Sequence, residues 1–186
     1  MIIRKHEFTV KGLRYNIRSA VHSDARYLSE VRIQIDGETE NMDRERGEAF
    51  IDQSGFEDII KADNEHPRNL FLVVEVEDQI VGYSRCVGND LKRTMHKVEF
   101  GVCILKNYWG YGMGKNLLKE VISWADSIGI IKINLNVLET NENAIELYKS
   151  FDFEIDGILK SDKLLSDGNY YNTIVMGRLN QKVIMK

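Results

Sequence analysis

Proline and cysteine are almost missing from this 186-residue chain, which carries one Pro and two Cys. A single proline excludes a proline-rich linker or a polyproline repeat. The two cysteines, Cys86 and Cys103, have no CxxC spacing and cannot build a disulfide framework. The chain is therefore expected to be cytoplasmic and unstapled. The four histidines, at positions 6, 22, 66 and 96, lack metal-ligand spacing, and no metal is expected. No apolar run is long enough to cross a bilayer. The opening residues MIIRKHEFTV contain basic side chains but no apolar stretch or small-residue cleavage site. They are not expected to act as a signal peptide, and no membrane partner is expected. Charge of one sign is scarce too: 25 basic residues against 29 acidic ones leave a net charge of -4. That balance argues mildly against nucleic acid as a partner.

What is present suits a globular chain, 43% hydrophobic and 29% charged, long enough for one well-buried core and short for two. There is no composition break and no internal repeat, so residues 1–186 are expected to form a single domain.

Alternation predicts a strand over Tyr15–Ala20, with a weaker one near Phe8–Val10. Ser23 or Asp24 can cap a helix whose apolar face is Ala25, Leu28, Val31 and Ile35, leaving Ile33 off that face. Residues 36–46 are polar and charged, a connection or loop. A second helix is expected over Glu48–Ala62, weakened at Gly55 and ended by His66-Pro67. The middle reads as a meander: a strand over Asn69–Glu77, a turn at Asp78-Gln79, a strand over Ile80–Val87, and a longer one over Thr94–Leu105. A helix over Gly114–Ser127 follows, closed by Gly129. Then come a strand over Ile130–Leu138, a short helix over Asn141–Ser150, and strands over Phe153–Leu165 and Tyr170–Leu179. This order predicts an α/β (α+β) fold, a mixed sheet covered by helices on both sides.

The most informative segment is Asn107-Tyr108-Trp109-Gly110-Tyr111-Gly112-Met113-Gly114-Lys115. Glycines alternate between a strand and an amphipathic helix. Unpaired N–H groups at such a helix start can cradle a phosphate; the same spacing also serves an ordinary strand-to-helix turn. It is not a P-loop, because Asn116 follows Gly114-Lys115 and Trp109 stands where the first glycine would be. The dinucleotide fingerprint GxGxxG is absent as well.

The segment resembles the acyl-coenzyme A signature of the GCN5-related N-acetyltransferase (GNAT) superfamily. Trp109, Gly112 and Gly114 occupy its positions, with Trp109 in place of the usual Arg or Gln. A second segment, Val137 to Tyr148, resembles the later family pattern, with Asn141, Ala144, Ile145, Tyr148 and Phe153 in register. Asp152 stands where glycine is usual, which implies a tighter or strained turn. The resemblance covers roughly residues 14–180. It implies a mostly antiparallel central sheet, splayed at a central parallel strand pair.

The resemblance also implies transfer of an acetyl group from acetyl-CoA to a primary amine of a small molecule or peptide, by direct attack in a ternary complex. The strand ending at Cys103-Ile104 would diverge from its neighbour beginning near Ile133, and coenzyme A would occupy the gap. An N–H near Ile104 would meet the thioester oxygen. The amides of Tyr111, Gly112, Met113, Gly114 and Lys115 would hold the pyrophosphate, Asn141 would help position the pantetheine arm, and Cys103, Ile104, Trp109, Gly110, Ala144 and Tyr148 would also belong to the cofactor site. Tyr148 is then the candidate general acid for the departing thiolate. Its alternative role is an aromatic packed on the core.

Glu99 is the candidate general base, because a carboxylate in an otherwise apolar strand must face solvent or a site. Alternation sets Glu99, Gly101 and Cys103 on one face and Phe100, Val102 and Ile104 on the other. An edge carboxylate is the alternative, and action through water is allowed. His96 is expected at the surface. Cys103 invites a covalent route, but small apolar packing is its simpler role. Asn141 also suits a helix cap. The acceptor is expected on the side of the early helices, where Glu38, Glu40, Asp43 and Glu45 either attract a cationic amine or form a solvated loop. Lys160–Lys163 and Asp167–Tyr171 are expected at the other rim. Other acyl donors or acceptors, and a catalytically weak acyl-CoA sensor, are the alternative functions. A homodimer through the final hairpin is a further expectation.

Overall fold

Seven consecutive buried residues, Leu70–Val76, form the strand at the heart of the sheet. Only a strand covered on both faces buries every side chain in this way. The one charge in it, Glu75, is satisfied by Arg18, whose Nε donates to Oε2 at 2.8 Å. The computed structural model describes residues 2–181. In chain order the elements are β1 (His6–Val10), β2 (Leu13–Ser19), α1 (Ala25–Glu38), α2 (Gln53–Glu65), β3 (Leu70–Val76), β4 (Gln79–Val87) and β5 (Lys97–Ile104). They continue with α3 (Met113–Ser127), β6 (Lys132–Leu138), α4 (Glu142–Lys149), β7 (Phe153–Leu164) and β8 (Tyr170–Leu179). All eight strands join one sheet in the order β1-β2-β3-β4-β5-β6-β8-β7. Every pairing is antiparallel except β5 with β6.

Helices cover both faces. On one side Arg85 of β4 reaches Asp63 of α2, so Tyr83 and Arg85 face α1 and α2. On the other, Ile104 lies 3.7 Å from a Cβ built on Gly114, at the start of α3. The predicted α1 face is buried at Ala25, Leu28, Val31 and Ile35. Asp24 precedes that helix, but its carboxylate is taken by Arg18 and the Val21 N–H rather than by the helix amides.

Among the boundaries that differ from the pattern in the sequence, three have a clear local cause. Helix α2 starts at Gln53, not Glu48, because Asp52 caps it by accepting from the Gly55 N–H at 2.8 Å. Gly55 helps rather than weakens: a Cβ there would lie 2.8 Å from Ile51 Cγ2. The β3–β4 turn falls at Glu77-Asp78, one residue early, with φ of 47° and 63°, the pair of left-handed residues that a tight hairpin of right-handed twist requires. Strand β5 begins at Lys97, because residues 91–96 close a turn in which the Thr94 N–H donates to Leu91 O.

The sheet opens in its middle. Strands β5 and β6 pair over three rows only, Lys97 with Lys132, Val98 with Ile133 and Glu99 with Asn134. Beyond these, β5 stays with β4 as far as Ile104, while β6 follows β8 as far as Leu138. Gly82 holds β4 tight against β5 at the open end, where a Cβ would lie 2.8 Å from Cys103 O. The divergence therefore falls wholly between β5 and β6.

Candidate active site

The Leu105 N–H donates to Val81 O on the β4 side at 2.9 Å. Strand alternation then turns the N–H groups of Ile104 and Val102 the other way, into the gap. The Ile104 carbonyl, on that same side, is claimed by the Trp109 indole N–H at 2.8 Å. Trp109 thus works as a strut that ties the glycine turn to the end of β5.

The turn itself is shaped for an anion. Gly110 and Gly112 have φ of 82° and 73°, and Gly112 is the N-cap of α3. The first helical bond runs from the Asn116 N–H to Gly112 O, which leaves the N–H groups of Met113, Gly114 and Lys115 without a helical carbonyl. They sit at the positive end of the helix. Tyr15, buried in β2, braces the turn from below: its hydroxyl donates to Tyr111 O at 3.3 Å and accepts from Asn116 Nδ2 at 2.7 Å. Lys11, in the β1–β2 turn, brings its Nζ to 3.8 Å from a Cβ built on Gly110. Lys115 is exposed on the same turn. Neither Tyr15 nor Lys11 carries a sequence signal for this role, since both lie about a hundred positions upstream.

On the β6 side, Asn141 caps α4 and its Oδ1 accepts from the Ala144 N–H at 3.4 Å. Two turns on, Tyr148 packs between Phe100 and Phe153, with ring centroids 6.4 Å and 5.8 Å away. Burial pushes its phenol up to about 12, and among the described residues its hydroxyl has no hydrogen-bond partner.

A cavity of about 350 Å³ joins these pieces, touching Gly101 and Cys103 of β5, Asn136 and Val137 of β6, Asn141 and Tyr148. Glu99 does not line it; it sits in the last paired row with Asn134, exposed to solvent. Cys103 faces Tyr83 across the β4–β5 ladder. Desolvation pushes its thiol up to about 12, so it stays protonated at neutral pH and is no ready nucleophile. His96 is exposed. Its carbonyl accepts from the N–H groups of Ile131 and Lys132.

The acidic segment after α1 is neither loose nor aimed at the cavity as a group. Glu38 accepts from the Lys106 N–H at 2.7 Å, Glu40 from the Ser166 N–H at 2.8 Å, and Glu48 from the Glu45 N–H at 2.8 Å. Asp43 pairs with Lys163 of β7 at 2.5 Å. Glu38, Glu40 and Asp43 thus tie the start of this segment to Lys106 on one side and to Ser166 and Lys163 on the other.

The chain is similar to known proteins across this region. It is 29% identical over 109 residues to an L-amino acid N-acetyltransferase of Escherichia coli, covering 58% of this chain and 67% of that protein. It is 26% identical over 164 residues to a spermidine N(1)-acetyltransferase of the same species, covering 86% and 83%. A GNAT-family acetyltransferase from Streptococcus pneumoniae superposes with a TM-score of 0.86 at 25% identity, covering 89% of this chain and 99% of that one. The family model for "Acetyltransferase (GNAT) family" matches residues 37–153. That stretch runs from the last turn of α1 to the first residue of β7 and holds both walls of the gap, the glycine turn and α4, so the chain belongs to the acetyltransferase (GNAT) family.

Proposed function

We propose that the chain transfers an acetyl group from acetyl-CoA to a primary amine of a small molecule or peptide, by direct attack in a ternary complex. The observation that carries this reading is the unpartnered Tyr148 hydroxyl beside a gap whose β5 wall offers free N–H groups. The fit to acetyl-CoA is specific in kind. The amides of Met113 to Lys115, with Lys11 and Lys115 near them, suit a pyrophosphate. The inward N–H groups of Val102 and Ile104 suit a pantetheine amide and a thioester oxygen.

In the transfer, the amine nitrogen bonds to the thioester carbonyl carbon and the carbon–sulfur bond breaks. An N–H donor fixed in place stabilises the oxygen as it gains charge, with no reorganisation needed at that moment. The departing thiolate takes the Tyr148 proton, and the amine releases its own. Glu99, outside the cavity lining, takes that proton through water. The two cysteines are free thiols, which supports a cytoplasmic setting. Ile155, Ile158, Leu159 and Leu164 on β7 and Tyr170 on β8 remain exposed, which supports a homodimer through this hairpin; sedimentation equilibrium tests it.

Calorimetry with acetyl-CoA and desulfo-coenzyme A, followed by thiol release across a set of amines, tests the function. Binding of both ligands and amine-dependent thiol release are expected. Binding without release from any amine rejects catalysis and favours an acyl-CoA sensor.

A further inference from the structure

Three arginines from separate elements line the cavity: Arg32 of α1, Arg44 of the segment after it, and Arg85 of β4. Each is held from behind by an acid that does not line the cavity. Arg44 donates to Asp36 through Nε at 3.0 Å and Nη2 at 3.1 Å. Arg32 lies 3.9 Å from the same carboxylate and donates through Nη1 to Ala49 O at 2.6 Å. Arg85 donates to Asp63 through Nε and Nη2. The Asp36 and Asp63 side chains are 3% and 0% exposed, so they fix the guanidinium groups from the protein side. Among the described residues, Nη2 of Arg32 and Nη1 of both Arg44 and Arg85 have no hydrogen-bond acceptor.

The charge count has a sign. Two buried carboxylates face three guanidinium groups, which leaves one positive charge without a counterion, and the Asp43–Lys163 pair at the rim is neutral by itself. A polycation entering here would meet guanidinium groups. An anionic group would take the unused donors and complete the charge balance in a site where it gains more than in water. Beside the arginines, Met42, Phe56, Ile59 and Phe71 add apolar surface to the same lining.

We propose that the acetyl acceptor is a small amine carrying a carboxylate and an apolar side group, an α-amino acid in form, with the carboxylate held by Arg32, Arg44 and Arg85. This rests on the acetyltransferase reading above. The cluster also assists the chemistry. A cation near the amine favours its neutral form, and only that form attacks. The same arginines thus select the acceptor and keep it reactive.

The test compares thiol release from L-leucine and L-phenylalanine with release from isoamylamine and phenethylamine, their decarboxylated counterparts, and from spermidine. A site built around a charged group rejects an analogue lacking it, so kcat/KM is expected to fall on the order of 100-fold on decarboxylation. Arg44→Gln is expected to shrink that ratio to within about tenfold through KM, leaving acetyl-CoA affinity unchanged. Arg85→Lys, which keeps a cation against Asp63, is expected to act in the same direction. Equal or better turnover of the decarboxylated amines or spermidine, with acetyl-CoA binding intact, overturns the proposal and leaves the transferase standing. Failure to bind acetyl-CoA overturns both.

Discussion

Tyr148 stands edge-on to Phe100, their planes 87° apart. The contact joins α4 to β5 across the place where the sheet opens. The favourable edge-to-face geometry holds the phenol at one height beside the gap. Nothing else among the described residues fixes its hydroxyl, so packing positions a group whose hydrogen bonding is left free for a ligand.

Tyr148→Phe keeps that packing and removes only the proton donor. Turnover is expected to fall about 100-fold or more, with acetyl-CoA affinity and melting temperature unchanged. Single-turnover kinetics and calorimetry check this. Equal turnover at saturating substrates removes Tyr148 from the chemistry.

Glu99→Gln is expected to lower turnover less than Tyr148→Phe, because Glu99 stands outside the cavity and the proposed proton transfer to it runs through water. Single-turnover rates at saturating substrates check this, and turnover equal to that of the unaltered chain returns Glu99 to a purely structural place on β5.

Alkaline pH is expected to weaken the fold through Cys103 and Tyr148. Both hold their protons more tightly when folded, moving from 9.0 and 10.0 up to about 12. The unfolded chain loses these protons first, so stability is full below about pH 9 and falls as pH rises toward 12. Each group contributes a slope of up to about 1.4 kcal/mol per pH unit within its own window. Urea midpoints at pH 8 and above pH 10 measure it, and Cys103→Ala is expected to make the fall shallower.

Asp152 follows α4 with φ of 63°, a left-handed conformation that costs a non-glycine residue about 1 kcal/mol. Glycine removes this cost but is freer when unfolded. Asp152→Gly is expected to gain about 0.5 kcal/mol, raising the melting temperature by about 1–2 °C. Calorimetric melting reads the shift; a drop in melting temperature shows that Asp152 is not strained.

Much of the fold is local enough to be legible in the sequence. Apolar spacing marks the buried face of α1, alternation marks β6, and the two family-like segments place the glycine turn and Tyr148. What the sequence hides is convergence. Arg32, Arg44 and Arg85 lie on three elements, and no spacing rule brings them together. The acidic run from Glu38 to Glu45 reads as a solvated or amine-seeking patch because its partners, Lys106, Ser166 and Lys163, are far along the chain. Trp109 reads as a missing side-chain clue, yet its N–H closes on Ile104 five residues back, a bond that depends on where β5 ends.

The three-row ladder between β5 and β6 makes this an unfinished sheet. A ligand in the gap takes the place of the stretch of ladder that the two strands do not form. Binding is then partly an act of folding, and its signature is slowed hydrogen exchange at Val102 and Ile104. Those two amides report occupancy of the gap whatever the acceptor.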